Sequence, residues 1–366
     1  MLALLLVIGI VFFLATRYAV ASYRAKESRL AKQWEAKGHA FLQASQPSGA
    51  VEAFQNALRY DPTSQQLRYA MVDSLLTAGR SEQARSYLLN MWEHQPANGL
   101  VNLQLGRIAA SRKDIRDATQ YYHNAIYGVW DSSPQQNRLQ ARLELAHFLL
   151  GENGKREADA ELLALVANSP PTADLAYTVG ELFLQADDAA NAERQFQSAL
   201  QSSPREPKLL AAAGRAAFAL KKYATAESYL EQAKSRGNTD AEITRLLDLT
   251  DLILKNDPLD RRVSFGARVQ RTIQAMATAT NRLEACASQT DKAGGTPPEL
   301  EQMLQQLDSA QDKKKLQALR HDPDLLIGSA KVAFAAEEAA AESCGQPQGL
   351  DLALLLIGRS HSEGEQ

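Results

Sequence analysis

Every 34 residues the chain returns to the same arrangement of small, large apolar and turn-forming residues, and no other feature restricts its fold as strongly. Between Ala31 and Ser64 the arrangement is Trp34, Gly38, Phe41, Ala50, Phe54, Ala57 and Pro62. Residues 65–98 repeat it with Val72, Leu75, Ala84, Leu88, Met91 and Pro96, and residues 99–132 with Leu105, Gly106, Ala109, Ala118, Tyr122 and Ala125. Ser133 to Arg138 break the phase, after which residues 139–172 carry Leu145, Ala146, Leu149, Ala158, Leu162 and Pro170. Residues 173–206 (Val179, Gly180, Phe183, Ala192, Phe196, Ala199, Pro204) and 207–240 (Ala213, Gly214, Ala217, Ala226, Leu230, Ala233) complete the series.

The spacing predicts two antiparallel helices per unit. Small residues at positions 8 and 20 let the helices approach, and large apolar residues at 4, 7, 11 and 24 fill the remaining space. Proline at 32 ends the second helix, because it has no N–H and restricts the residue before it. One pair cannot bury both of its faces, so neighbouring pairs must stack. Composition agrees: 45 % apolar and 23 % charged residues suit a folded chain, and abundant Ala, Leu, Gln, Glu and Arg favour helix over sheet.

This register resembles the tetratricopeptide repeat (TPR); in the first unit only Lys37, where the family prefers Leu, departs from it. The resemblance implies an all-α, right-handed TPR solenoid of about six helix pairs over residues 31–257, with 241–257 as a capping helix. Residues 258–366 leave the pattern and read as a C-terminal helical bundle. In it, Leu259 to Ser288 and Glu299 to Arg320 are expected as long helices, separated by the linker Gly294-Gly295-Thr296-Pro297-Pro298. Asp322-Pro323 opens a further helix to about Ser343, and Leu350 to Arg359 reads as a short closing one.

The N-terminus is strongly apolar. Leu2 to Ala15 carries no charge, and with Arg17 at an interface the stretch to Tyr23 reaches the roughly 20 residues a bilayer requires. Residues 1–23 therefore read as a transmembrane anchor of signal-anchor type, and 24–30 as a juxtamembrane linker. A cleaved leader is disfavoured: no Lys or Arg precedes the run, and Ala19-Val20-Ala21 is a weak cleavage site. The layout resembles membrane-anchored bacterial TPR proteins, which suggests a single-pass protein of the bacterial inner membrane. Arg17, Arg24, Lys26, Arg29, Lys32 and Lys37 after the run favour a cytoplasmic solenoid. Cys286 and Cys344, the two cysteines, read either as buried free thiols or as a disulfide, and the latter favours an oxidising compartment outside the cytoplasm.

Few residues stand in a pattern that carries chemistry. A net charge of −3 gives no footprint for nucleic acid. None of His39, His94, His123, His147, His321 and His361 sits at metal-ligand spacing, and Gly151-Glu152-Asn153-Gly154-Lys155 lacks the phosphate-loop pattern. No catalytic residue, cofactor, metal or small-molecule substrate is expected, and the chain is read as a non-enzymatic scaffold or adaptor for a protein or peptide partner.

In TPR solenoids positions 2, 5, 9 and 12 of each unit point into the concave groove, as the resemblance implies. Here those positions include Lys32, Glu35, His39, Tyr69, Asp73, Arg107, His147, Tyr177, Glu181, Arg215 and Phe218, a mixture of aromatic and charged groups suited to a peptide. The family's clamp for a chaperone's C-terminal carboxylate is not expected, because Glu35, His39, Ala70, Leu100 and Gln104 stand at its positions. The turn around Trp130 reads as a recognition loop or as a longer packed turn. Two other roles stay open: a structural subunit of a larger membrane complex, or substrate capture for an activity in the C-terminal bundle.

Overall fold

A computed structural model describes residues 2–168, 172–293, 295 and 297–363. Pro170 of the fourth unit, and Gly294 and Thr296 of the expected linker, lie outside the described residues. The described residues are all-α, with eighteen helices in two compact units, residues 1–169 and 170–366.

The first unit contains α1 (Leu2–Gln43), α2 (Pro47–Tyr60), α3 (Gln65–Thr77), α4 (Ser81–His94), α5 (Gly99–Ser111), α6 (Ile115–Tyr127), α7 (Pro134–Gly151) and α8 (Lys155–Asn168). The second begins with the pairs α9 (Ala173–Gln185) and α10 (Ala189–Ser202), then α11 (Pro207–Ala219) and α12 (Tyr223–Ser235), and the single helix α13 (Ala241–Asn256). It continues with α14 (Phe265–Ala293), α15 (Pro298–Ala310), α16 (Lys313–Ala318), α17 (Pro323–Cys344) and α18 (Gly349–Glu363).

The periodic residues form the cores. Phe54, Leu75, Leu88 and Leu105 are buried together in the first unit, as are Tyr122, Leu145 and Leu149. Phe183, Phe196, Leu210 and Leu230 are fully buried in the second. The turn inside each pair is equally regular. Ser45, Gly79, Lys113, Asn153, Asp187 and Lys221, each at position 15 of its repeat, have φ between 56° and 73°. The next residue's N–H then donates to the carbonyl five residues back, as from Gln46 to Phe41, Asp114 to Ala109, Asp188 to Phe183 and Lys222 to Ala217, at 2.8–3.0 Å. This closure satisfies carbonyls that the end of an α-helix leaves without partners.

The phase break becomes an N-terminal extension of α7, which starts at Pro134. Trp130 lies flat on Gly99 and donates from Nε1 to the Ala125 carbonyl at 2.9 Å, while Gly99 and Val129 are joined backbone to backbone. The aromatic ring thus belongs to a packed turn.

In the C-terminal part, α14 packs on α17, and α18 on α13 and α17. Met276, Leu283, Leu300, Leu326, Phe334 and Leu354 fill the core. A disulfide joins Cys286 of α14 to Cys344 at the end of α17 (S–S 1.97 Å), and the Lys221 ammonium donates to the Arg359 carbonyl, tying the last repeat to α18. Two helices differ from the sequence reading. The stretch expected as one helix over Glu299 to Arg320 is two, because Asp312 accepts from the Lys314 N–H (2.7 Å) and starts a new helix there. α14 begins only at Phe265, because the carboxylates of Asp257 and Asp260 accept from the N–H of Leu259 and Arg262 and hold the preceding residues in turns.

The expected N-terminal transmembrane helix, and with it the signal-anchor reading, is overturned. Among the described residues no helix is long and apolar enough to cross a membrane. α1 runs without a break from the apolar residues into Arg24, Lys26, Glu27 and Arg29, and Arg17 already interrupts the run short of a bilayer's thickness.

Candidate partner-binding surfaces

In the first unit the structure brings part of the predicted set together. Arg107 of α5 donates to Glu144 of α7 through Nε (2.8 Å) and a terminal nitrogen (2.6 Å), and the Gln140 side-chain amide supports the same carboxylate at 3.0 Å. Both members stay partly open to solvent, at 35 % and 27 % of their side chains. Burial pushes the Glu144 carboxyl up, but the hydrogen bonds and charge of Arg107 outweigh it and hold the group below its ordinary value. Burial first, and then the same carboxylate, drive the Tyr122 hydroxyl up to about 12. Asp73, exposed on α3, adds its charge to the field at Arg107. Tyr69 is half-buried, its hydroxyl accepting from Asn98 at 2.8 Å and Gln65 at 3.4 Å.

The remaining predicted residues of this unit are less engaged. Lys32 is exposed and Glu35 half-buried on α1, while His39 sets its ring edge-on to Phe54 at 5.2 Å. His147 is exposed on α7.

In the second unit Tyr177, Glu181 and Arg215 form a similar group. Arg215 of α11 reaches Glu181 of α9 at 2.5 Å, and the Lys208 ammonium sits 4.1 Å from the centre of the Tyr177 ring. Phe218 instead turns toward the core, edge-on to Tyr223 at 5.4 Å.

Glu144, Lys208 and Asn98 were missed in the sequence. Glu144 stands at position 6 of its repeat, outside the groove positions 2, 5, 9 and 12. A second missed group, away from these faces, joins His123 and Arg142 to Glu161 at 2.8 and 3.2 Å. The hydrogen bond from His123 leads in holding that carboxyl low. Among the described residues no three or more His, Cys, Asp or Glu gather as a metal site.

Family models described as tetratricopeptide repeat match residues 41–108 and 177–241. The chain carries tetratricopeptide repeats. Like other TPR proteins it has the fold of protein–protein interaction scaffolds, in which stacked helix pairs offer extended surfaces to protein or peptide partners. A curated relative, the putative cellulose synthase operon protein C of Escherichia coli O157:H7, is 29 % identical over 151 residues, which is 40 % of this chain. The chain spans only 13 % of that relative's length. Among solved structures, PilF of Pseudomonas aeruginosa is 17 % identical with a TM-score of 0.42, over 60 % of this chain and 97 % of that one. The C-terminal part of a TPR protein from Cytophaga hutchinsonii is 12 % identical with a TM-score of 0.46, over 64 % and 91 %.

Proposed function

We propose that this TPR protein is a non-enzymatic scaffold whose units each hold a segment of a partner protein against the first helices of their repeats, through Tyr69, Asp73, Arg107 and Glu144 in the first unit and through Tyr177, Glu181 and Arg215 in the second. One observation carries the reading. The Arg107–Glu144 pair is fixed by three hydrogen bonds yet partly open, so a partner meets charges already in place and little side-chain freedom is lost on binding. Tyr69 and Tyr177 supply aromatic surface of the kind that anchors interfaces. Lys32, Glu35, His39 and His147 extend the first surface.

The Cys286–Cys344 bond supports an oxidising compartment for this partner-binding role. The likeness to a protein named for a cellulose synthase operon supports a process of the bacterial envelope.

The test is to place a photo-crosslinking residue at Tyr69, at Tyr177 and, as a control, at Gln83 on α4. A partner should attach at each tyrosine and not at the control. Tyr69→Ala, Arg107→Ala and Tyr177→Ala should each weaken that partner by about tenfold or more without a change in melting temperature. A partner that crosslinks equally at Gln83 and ignores all three substitutions would favour a subunit buried by its neighbours and sink the groove.

A further inference from the structure

Tyr69 and Tyr177 both stand at position 5 of their repeats, and Asp73 and Glu181 both at position 9. In the second unit each has a cation supplied by the next repeat. Lys208, at position 2 there, holds its ammonium 4.1 Å from the centre of the Tyr177 ring, and Arg215, at position 9, reaches Glu181 at 2.5 Å. In the first unit the same positions leave both groups without one. Position 2 of the next repeat is Leu100, which carries no charge to the ring. Position 9 is Arg107, and Glu144 takes it with both carboxylate oxygens, at 2.6 and 2.8 Å. Among the described residues, no cation lies over the Tyr69 ring and Asp73 enters no ion pair.

The surroundings of Tyr69 deepen the deficit of positive charge. Asp73, one helical turn further along α3, is exposed on the same face. The backbone of Val129 is bonded to Ala97 and Gly99, on either side of Asn98, and Asn98 donates to the Tyr69 hydroxyl at 2.8 Å. This brings Asp131, exposed and two residues past Val129, close enough for its charge to add to burial in raising the Tyr69 hydroxyl. Arg68, next to Tyr69 in the chain, is held by the Pro62 carbonyl at 2.8 Å. A half-open aromatic ring beside carboxylates, with the local guanidinium groups engaged, attracts a cation through the ring's quadrupole and through charge together.

We propose that the first unit recognises a lysine or arginine side chain of its partner segment, which lies over the Tyr69 ring and reaches the Asp73 carboxylate. The incoming cation does at Tyr69 what Lys208 does at Tyr177 within the chain itself. This rests on the scaffold reading and narrows it: the segment that the first unit holds is basic at the point where it meets Tyr69.

The full chain is panned against random octapeptides displayed on phage, and the selected peptides are synthesised. Those that Tyr69→Ala no longer retains report on the first-unit surface. They are expected to share a lysine or arginine, to bind about tenfold more weakly when norleucine replaces it, and to weaken as salt is raised. Asp73→Asn should weaken them about threefold to fivefold, and panning the Asp73→Lys chain should select an acidic residue in place of the basic one. Asp73 is exposed, so neither change should move the melting temperature. Peptides lost on Tyr69→Ala that share no basic residue, or that bind the Asp73→Asn chain as tightly as the parent, would overturn the cation site and leave the scaffold reading standing. So would a selection in which Tyr177→Ala loses peptides and Tyr69→Ala loses none. A selection in which neither tyrosine matters would overturn both.

Discussion

Gly180 of α9 stands so close to Phe196 of α10 that a β-carbon on the glycine would lie 2.5 Å from the ring's Cε1. The same relationship recurs between Gly38 and Phe54 (2.6 Å) and between Gly214 and Leu230 (2.7 Å), always between positions 8 and 24 of one repeat. In this family of contacts the missing side chain on one helix makes room for the large one on the other. Gly180→Ala should therefore destabilise the second unit by about 1–3 kcal/mol, despite the roughly 1 kcal/mol that alanine gains over glycine in a helix. Phe196→Leu in the same chain should recover part of the loss, because the shorter side chain vacates the position the new methyl needs. Thermal melting of the two single variants and the double variant measures this, and strict additivity would refute the contact as the cause.

The left-handed residue at position 15 offers a stabilising change. Lys113 holds φ at 58° in the turn between α5 and α6, where Gly79 does the same work between α3 and α4 at no steric cost. Lys113→Gly should raise stability by up to about 1 kcal/mol, after the unfolded chain's greater freedom is counted against the relief of strain. The reverse change, Gly79→Val, should lower it by about 1–2 kcal/mol. Denaturant midpoints decide the matter, and a loss of stability in Lys113→Gly would contradict it.

Glu337 is wholly buried in α17, where the Arg282 guanidinium lies 3.1 Å away from it and Asp351 bears on it from α18. Burial first, and then the Asp351 charge, push its carboxyl up to about 8, and burial raises Asp351 as well. The folded chain thus keeps a proton that the unfolded chain gives up near pH 4.5. By linkage, stability falls as pH rises between about 4.5 and 8, by at most about 1.4 kcal/mol per pH unit for one proton, and levels off above. Glu337→Gln should flatten that slope. Unfolding of the full chain at pH 5, 6, 7 and 8 measures it, and equal slopes in both proteins would count against the assignment.

Reduction should weaken the C-terminal part. The bond between Cys286 and Cys344 closes a loop with a sequence separation of 58 residues, for which the chain-entropy model gives about 4 kcal/mol. Dithiothreitol, or the double change to serine, should lower the melting temperature of the second unit and leave the first where it was. A membrane-impermeant thiol label applied to intact cells, with and without prior reduction, tells whether the bond forms in the living host. Labelling only after reduction is the outcome the proposed compartment requires.

The repeat fold was legible because its contacts are local and small in number. Gly38 with Phe54, Gly180 with Phe196 and Gly214 with Leu230 sit at constant separations within one helix pair, so the packing is written in the spacing. The charged contacts were less legible. Arg107 stands at a groove position and its partner Glu144 does not, and the pair joins repeats on either side of the phase break. Phe218 stood at a groove position and yet turns to Tyr223, since the C-terminal helices give that end of the repeats an apolar neighbour that no repeat pattern encodes. The expected membrane span over residues 1–23 reached a bilayer's thickness only with Arg17 at an interface, and among the described residues no helix is long and apolar enough to cross. The break at Asp312 was hidden for a simpler reason. One side chain accepting a single backbone hydrogen bond ends one helix and starts another, without disturbing the apolar spacing on either side.

α1 is the first helix of the first repeat and also extends far beyond it. At about 1.5 Å per residue, its 42 residues make a rod of roughly 60 Å with no joint between Leu2 and Gln43. A stiff shaft of this kind transmits direction as well as position. Whatever grips its far end would set the heading of Lys32, Glu35 and His39 at the near end, and a torque or displacement applied there would reach the first repeat almost undiminished. Inserting residues into the shaft would swing those three side chains around its axis by about 100° per residue, as 3.6 residues per turn requires, so its length acts as a dial on the aim of the first repeat.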